Sequence, residues 1–402
     1  MRKLRKFRLL PEYHDKSISF ATMGLTIFGS LMIVSASMGG ANGSTQEVLL
    51  TLVKQIGFII SGYVLMIGVT KIPYFRFTLT LYKYIAYIMV VLLILPRLLY
   101  DPVGGAYAWY WFGPFSFQIS EFAKLFIILF IAKYLCMPYK SDVVANDKFN
   151  FVLVIAFIYA IIIAIIQKDL GSGVILAGIA YFMILLPKHK MYLKVQGIME
   201  KIFYFGIVIV LVVISPIGTK LFESLNSNNY MINRFLASAN PFKYQYDSGY
   251  HLVMSLVSFA NGGLTGLGYG KSIHKYMNFP NPTSDFILPV IIEEMGVLFG
   301  FMPILILYAM LLVPMIKYAC AKTTSMRSKM VLLGISMYFI LHFILNVGGV
   351  SGLIPLTGVP ILLISYGGTN TWASLIAIGI AQKEISSIRK ELIDANNSGQ
   401  IS

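Results

Sequence analysis

Charge is scarce in this chain. Only 12% of its 402 residues are charged and 57% are hydrophobic, with a mean hydropathy of +0.76. A water-soluble domain of this length cannot clothe its surface with so little charge, so that class is excluded. Acidic groups are the scarcer sign, 17 against 32 basic ones. Five histidines and two cysteines form no Cys/His cluster of zinc-site spacing, so no zinc site is indicated. Cys136 and Cys320 both fall on the expected cytoplasmic side, which argues against a disulfide. The chain also lacks the alternating segments of about 10 residues that build a membrane β-barrel.

What is abundant is apolar sequence in runs long enough to cross a bilayer, which takes about 20 residues as a helix. The expected fold is all-α, a polytopic membrane protein of about ten spans with one large outer loop. The spans fall at about 18–38, 48–70, 78–98, 119–137, 149–166, 170–187, 201–219, 287–316, 329–348 and 358–383. The eighth is long enough to be broken or partly re-entrant, and Pro289, Pro303 and Pro314 fit such a distortion, since proline removes a helix donor. Residues 1–390 read as one membrane domain and 391–402 as a short tail.

Basic residues set the orientation. Arg2, Lys3, Arg5, Lys6, Arg8 and Lys16 precede the first span; Lys188, Lys190, Lys194 and Lys201 follow the sixth; Lys317, Lys322, Arg327 and Lys329 follow the eighth; Lys383, Arg389 and Lys390 end the tenth. With ten spans all lie on one side, so both termini are expected in the cytoplasm. The net charge of +15 is then explained by topology and anionic headgroups, and no nucleic-acid partner is expected. The first apolar run is too long for a signal peptide and reads as an uncleaved helix.

Two outer connections are long. In the first, about 99–118, Trp109, Tyr110 and Trp111 suit the headgroup belt. The second, about 220–286, is the one soluble segment of real size, and such a loop in a compact protein is usually functional. Its stretch at about 249–260 has the spacing of an amphipathic surface helix. The run Gly262-Gly-Leu-Thr-Gly-Leu-Gly-Tyr-Gly270 lacks the strand and helix start of a nucleotide loop and reads as tight turns.

The loop ends in Pro280-Asn-Pro-Thr-Ser-Asp-Phe-Ile-Leu-Pro-Val-Ile-Ile-Glu-Glu-Met-Gly296. Asp285 sits where a polar segment meets an apolar run, and Glu293 and Glu294 lie inside that run. Carboxylates in or beside a bilayer are costly and tend to have a task. Asp285 has two readings: a reactive base, or an N-cap acid of the following helix. Glu293 and Glu294 are adjacent, so at most one can line a cavity, and helix-to-helix hydrogen bonding is their expected role. Glu121 and Lys124, three residues apart, share a helix face and can pair. Lys168 and Asp169 read as an outer turn, pairing or capping. His251, His274 and His342 show no obvious partners.

Four segments then carry a resemblance: Ile33-Val-Ser-Ala-Ser-Met38; Gly113-Pro-Phe-Ser-Phe-Gln-Ile-Ser-Glu-Phe-Ala-Lys-Leu125; the loop set of Asn240-Pro241, Ser248-Gly-Tyr250, the glycine run and Ser284-Asp-Phe286 with Glu293-Glu-Met-Gly296; and Asn346-Val-Gly348, Gly352-Leu-Ile-Pro-Leu-Thr-Gly-Val-Pro360 and Ile364-Ser-Tyr-Gly-Gly-Thr369. In this order the chain resembles the SEDS family (shape, elongation, division and sporulation; the FtsW, RodA and SpoVE proteins), with a lean toward the division type from Ser35-Ala-Ser-Met38. The resemblance implies ten helices and a peptidoglycan glycosyltransferase that polymerises lipid II into glycan strands beside a class B penicillin-binding protein. It places the catalytic acid on Asp285 and the paired Glu and Lys on Glu121 and Lys124. The chain departs from the family pattern at Ala108, Ile119, Lys168, Asn281 and Thr283, which puts the helpers of the site in question.

Transfer from a pyrophosphate donor needs a base for the acceptor hydroxyl and no strong acid, because pyrophosphate leaves as a stabilised anion, so one carboxylate suffices. Asp285 is that base provided burial raises its pKa. Cations for the anionic donor are sought at Arg234, Lys243, Lys271, Lys275 and Lys124; the bland reading of the loop ones is solvated charge. Ser365 joins the substrate-binding set, although its Ser-Tyr-Gly-Gly run also suits close helix packing. No permanently bound cofactor is expected; a magnesium or manganese ion could bridge Asp285 and the pyrophosphate. The rival functions are a transporter or flippase of lipid-linked precursor, and an inactive scaffold.

Overall fold

The computed structural model describes residues 10–40, 44–113, 115–138, 141–187, 192–215, 218, 230–277, 279, 281–321 and 323–397. The basic residues Arg2 to Arg8, Lys188, Lys190 and Lys322 lie outside them. Helices lie over all ten predicted spans: α1 (Lys16–Gly40), α2 (Thr45–Lys71), α3 (Leu79–Leu99), α4 (Ile119–Leu135), α5 (Asp142–Ile161), α6 (Leu170–Leu185), α7 (Leu193–Ile214), the pair α10 (Ile287–Gly296) and α11 (Met302–Cys320), α12 (Met326–Val350) and α13 (Gly368–Asn397). In the long loop at about 220–286 are α8 (Tyr230–Ala239) and α9 (Tyr250–Gly262). Among the described residues six helices, counting Ile287–Cys320 as one, are long and apolar enough to cross a membrane; α6 is apolar but shorter. The molecule is a polytopic α-helical membrane protein.

Short polar caps start several helices. Thr78, Ser141, Asp169 and Ser325 each accept a backbone N–H three residues on, which satisfies one orphan donor of the first turn. The Lys168–Asp169 turn therefore caps α6, and Asp169 also accepts from Gln118 Nε2 at 2.9 Å. The last helix lies along α2, where Trp372 Nε1 donates to Ser61 Oγ at 2.8 Å. It runs on to Asn397.

Three features differ from expectation. A two-stranded antiparallel hairpin, β1 (Trp109–Phe112) and β2 (Phe115–Gln118), leads into α4. In it Tyr110 is buried and donates to Leu92 O at 2.6 Å; burial pushes its phenol pKa up, with Tyr100 adding to the effect. Trp111 stays exposed. The tenth span begins at Gly368 and not at 358, because residues 351–367 are non-helical. Much of that segment is nevertheless buried, with Ile361 to Ile364 at most 3% exposed. Non-helical backbone at such depth needs internal partners. Asn346 serves Val359 O, Tyr308 OH serves Leu362 O, Ser365 Oγ serves Ile361 N, and His342 Nδ1 lies 3.3 Å from Pro360 O.

The third difference is the break in the eighth span. It occurs at Gly296 (φ 70°, ψ −177°), a conformation essentially restricted to glycine, and not at a proline. The glycine-rich run 262–270 splices the break. Leu267 N and Gly268 N donate to Glu293 O and Glu294 O, capping the end of α10. Val297 N and Leu298 N donate to Gly263 O and Leu264 O, capping the start of the continuing helix, whose first turn (Val297–Phe301) is a wide π-turn. A side chain on Gly266 would place Cβ 2.2 Å from Glu294 O. The glycines are thus turns, as expected, but turns fitted to a helix break whose place the pattern did not reveal.

Candidate active site

Asp285 lies in a turn before α10, partly exposed. The N-cap of α10 is Phe286, whose own side chain makes no capping bond. Asp285 thus lies one residue outside the N-cap position that the sequence offered it. Asn281 holds the turn in the left-handed region (φ 45°), which asparagine tolerates, and its carbonyl accepts from Ser284 N and Phe286 N. Thr283 O accepts from Tyr366 N at 2.8 Å, and Ser284 O from Ser365 Oγ at 2.8 Å. Asn281 and Thr283, two departures from the family pattern, thus act here through main-chain geometry.

A cleft of about 170 Å³, open space included, is lined by Asp285, residues 356–359 and the C-terminal end of α12. Gly358, at φ 68°, lies against Asp285: a Cβ there would sit 3.5 Å from Asp285 Oδ2. Any larger residue would stand over the carboxylate as well as strain the backbone. From α12, Asn346 Nδ2 donates both to Asp285 O at 2.9 Å and to Val359 O at 2.7 Å. One amide ties the two walls of the cleft together.

Glu121 and Lys124 pair as the spacing predicts, Nζ to Oε1 at 2.6 Å, and both are buried. Tyr338 OH donates to Glu121 Oε2 at 3.2 Å, and Asn370, with its amide nitrogen turned inward, lies 3.3 Å from both carboxylate oxygens. Lys124 Nζ is also 3.1 Å from His342 Nε2. His342 and Asn346 are four residues apart on α12 and share its face. The pair therefore reaches the cleft through His342 and Asn346 and does not line it.

The other predicted site residues are placed differently. Ser365 is buried, and its hydroxyl is taken up by Ser284 O and Ile361 N, so it shapes the Asp285 turn and presents nothing to the cleft. Lys271 is exposed on the glycine-rich loop and is not a cleft residue. Lys275, expected as a free loop cation, is buried and ion-paired with Glu294 at 2.8 Å. Lys243 is exposed, over the Tyr244 ring. The Arg234 side chain lies outside the described residues.

Glu293 and Glu294 are both fully buried, and neither lines the cleft. Glu293 meets His274 Nδ1 at 2.6 Å and takes a bond from Ser272 Oγ. Glu294 takes Ser35 Oγ of α1 at 2.7 Å and Gly270 N at 3.0 Å besides Lys275. One short loop, 270–275, supplies hydrogen-bond partners to both acids. His274 and His342 thus have the partners that the sequence did not show, and His251 stacks edge-on with Phe286. Among the described residues no three His, Cys, Asp or Glu side chains gather to hold a metal ion.

The model of the FtsW/RodA/SpoVE cell cycle proteins matches residues 16–390. The chain belongs to this family. Among FtsW/RodA/SpoVE relatives, it is 31% identical to a Bacillus subtilis protein named "Probable peptidoglycan glycosyltransferase FtsW", over 93% of this chain and 90% of that one. It is 29% identical to stage V sporulation protein E of the same organism, over 91% and 95%. A solved chain from work on the structural coordination of polymerization and crosslinking by a peptidoglycan synthase complex shares the fold, with a TM-score of 0.71, 20% identity and coverage of 94% of this chain and 99% of that one.

Proposed function

We infer that this family member is a peptidoglycan glycosyltransferase of the bacterial cytoplasmic membrane, polymerising lipid II into glycan strands on the outer face, with both termini in the cytoplasm. The observation that carries the reading is Asp285: a carboxylate one residue ahead of the N-cap position, held by its main chain at a cleft between α12 and the non-helical backbone of 356–359. The names of the relatives agree with it.

In this reaction Asp285 takes the proton of the acceptor sugar hydroxyl. The hydroxyl oxygen attacks the anomeric carbon of the donor, the new glycosidic bond forms, and the bond to the lipid pyrophosphate breaks with its electron pair. A positioned base of this kind is worth about 10²–10⁴-fold in rate. One carboxylate beside backbone carbonyls is too poor a donor set for a resident metal, but it fits an ion shared with the substrate. A magnesium or manganese ion held that way would offset charge on the leaving pyrophosphate. Chelation should then stop polymerisation and either ion restore it; full activity in chelator would exclude the ion.

The partner reading is a class B penicillin-binding protein that crosslinks the product, supported by the fold shared with a synthase complex. The test of function is polymer formation from lipid II by the purified chain, with and without that partner. Transport of labelled lipid II without polymer formation would instead favour the flippase.

A further inference from the structure

Two buried oxygens beside Asp285 have no partner. Asn346 Oδ1 and Thr357 Oγ1 are both inaccessible and make no hydrogen bond, and both residues line the cleft. The Asn346 orientation is fixed by its surroundings: its nitrogen serves two carbonyls, Asp285 O and Val359 O, so turning the amide would set oxygen against oxygen. Its Oδ1 is therefore an acceptor only, on a side chain 3% exposed. Thr357 can accept or donate.

A buried polar atom left unpaired costs about 1–3 kcal/mol, so two together at a candidate catalytic carboxylate call for a ligand. A water can hold the place in the resting state, since the two oxygens supply a donor and acceptors. A substrate group must then bring at least one O–H or N–H. We propose that Asn346 Oδ1 and Thr357 Oγ1 form a polar subsite for a sugar hydroxyl or acetamido N–H of the lipid-linked saccharide, placing that sugar against Asp285. The proposal rests on the glycosyltransferase reading and deepens it. The enclosed part of the cleft is only about the size of one water, so the subsite takes a single hydroxyl or N–H of the reacting sugar while the ring, lipid and peptide stay outside it.

Asn346 also holds the cleft walls together, so its substitution confounds binding with folding. Thr357→Val is the clean variant. It keeps the shape and removes a hydroxyl that has no partner in the folded chain. The full-length protein is tested with fluorescent lipid II: binding is measured in an Asp285→Asn background, and apparent KM, kcat and thermal unfolding on Thr357→Val and Thr357→Ser. Thr357→Val should weaken binding and raise apparent KM roughly three- to tenfold, the worth of one neutral hydrogen bond. Its unfolding temperature should hold or rise, and Thr357→Ser should restore KM. An unchanged KM and binding in Thr357→Val, with or without a change in unfolding temperature, overturns the subsite and leaves the oxygens as water ligands. Asp285→Asn that still polymerises overturns the glycosyltransferase site itself, and the subsite with it.

Discussion

Asn346 holds Asp285 by its main-chain carbonyl, Nδ2 to O at 2.9 Å. The anchor therefore survives any change of the Asp285 side chain. Asp285→Asn should keep the yield and unfolding temperature of the parent while losing about 10²–10⁴-fold in polymerisation rate. A large drop in unfolding temperature would show instead that the carboxylate is a structural group.

The buried pair of Glu121 and Lys124 predicts an asymmetry between single and double substitution. Lys124→Met strands a carboxylate among Tyr338 and Asn370 and should cost about 3–5 kcal/mol. Lys124→Met with Glu121→Gln removes both charges and should recover much of that loss. Thermal unfolding of the three purified proteins in one detergent reads the difference. If the double variant is as unstable as the single one, charge burial is not what the pair balances.

The helix break at Gly296 predicts a contrast between glycines. Gly296→Ala forces Cβ to 2.3 Å from Leu264 O in a glycine-only conformation, and Gly266→Ala meets Glu294 O. Both should prevent accumulation of folded protein. Gly270→Ala also has a positive φ, but no atom lies within 4 Å of its built Cβ. It should cost only the left-handed backbone, about 1–2 kcal/mol. Fluorescence-detected size exclusion of tagged variants separates the outcomes; equal loss at all three positions would refute the splice.

Much of the fold was legible because apolar run length is a local property. All ten runs carry helices, and Glu121 and Lys124, one turn apart, declared their pairing by spacing alone. Asp285 stood out because it interrupts a hydrophobic boundary. The rest depends on contacts between distant segments. His342 reaches Lys124 across 218 positions, and Lys275 reaches Glu294 across 19. No periodicity encodes either. The sequence points to prolines for the distortion of the eighth span because proline announces itself, while the conformation of Gly296 is set by the loop that packs on it. The 358–367 backbone looked helical because it is apolar; its partners, Asn346, His342, Tyr308 and Ser365, lie on other elements or later in the chain. Ser365 and Lys275 looked like substrate groups for the same reason, since sequence shows a polar side chain but not the bond that already occupies it.

The most direct test of the account is gel-resolved polymer from labelled lipid II and purified full-length protein, parent beside Asp285→Asn, each with its partner transpeptidase. The account predicts long glycan strands from the parent and none from a stable Asp285→Asn protein. Strands of equal length and rate from both would contradict it.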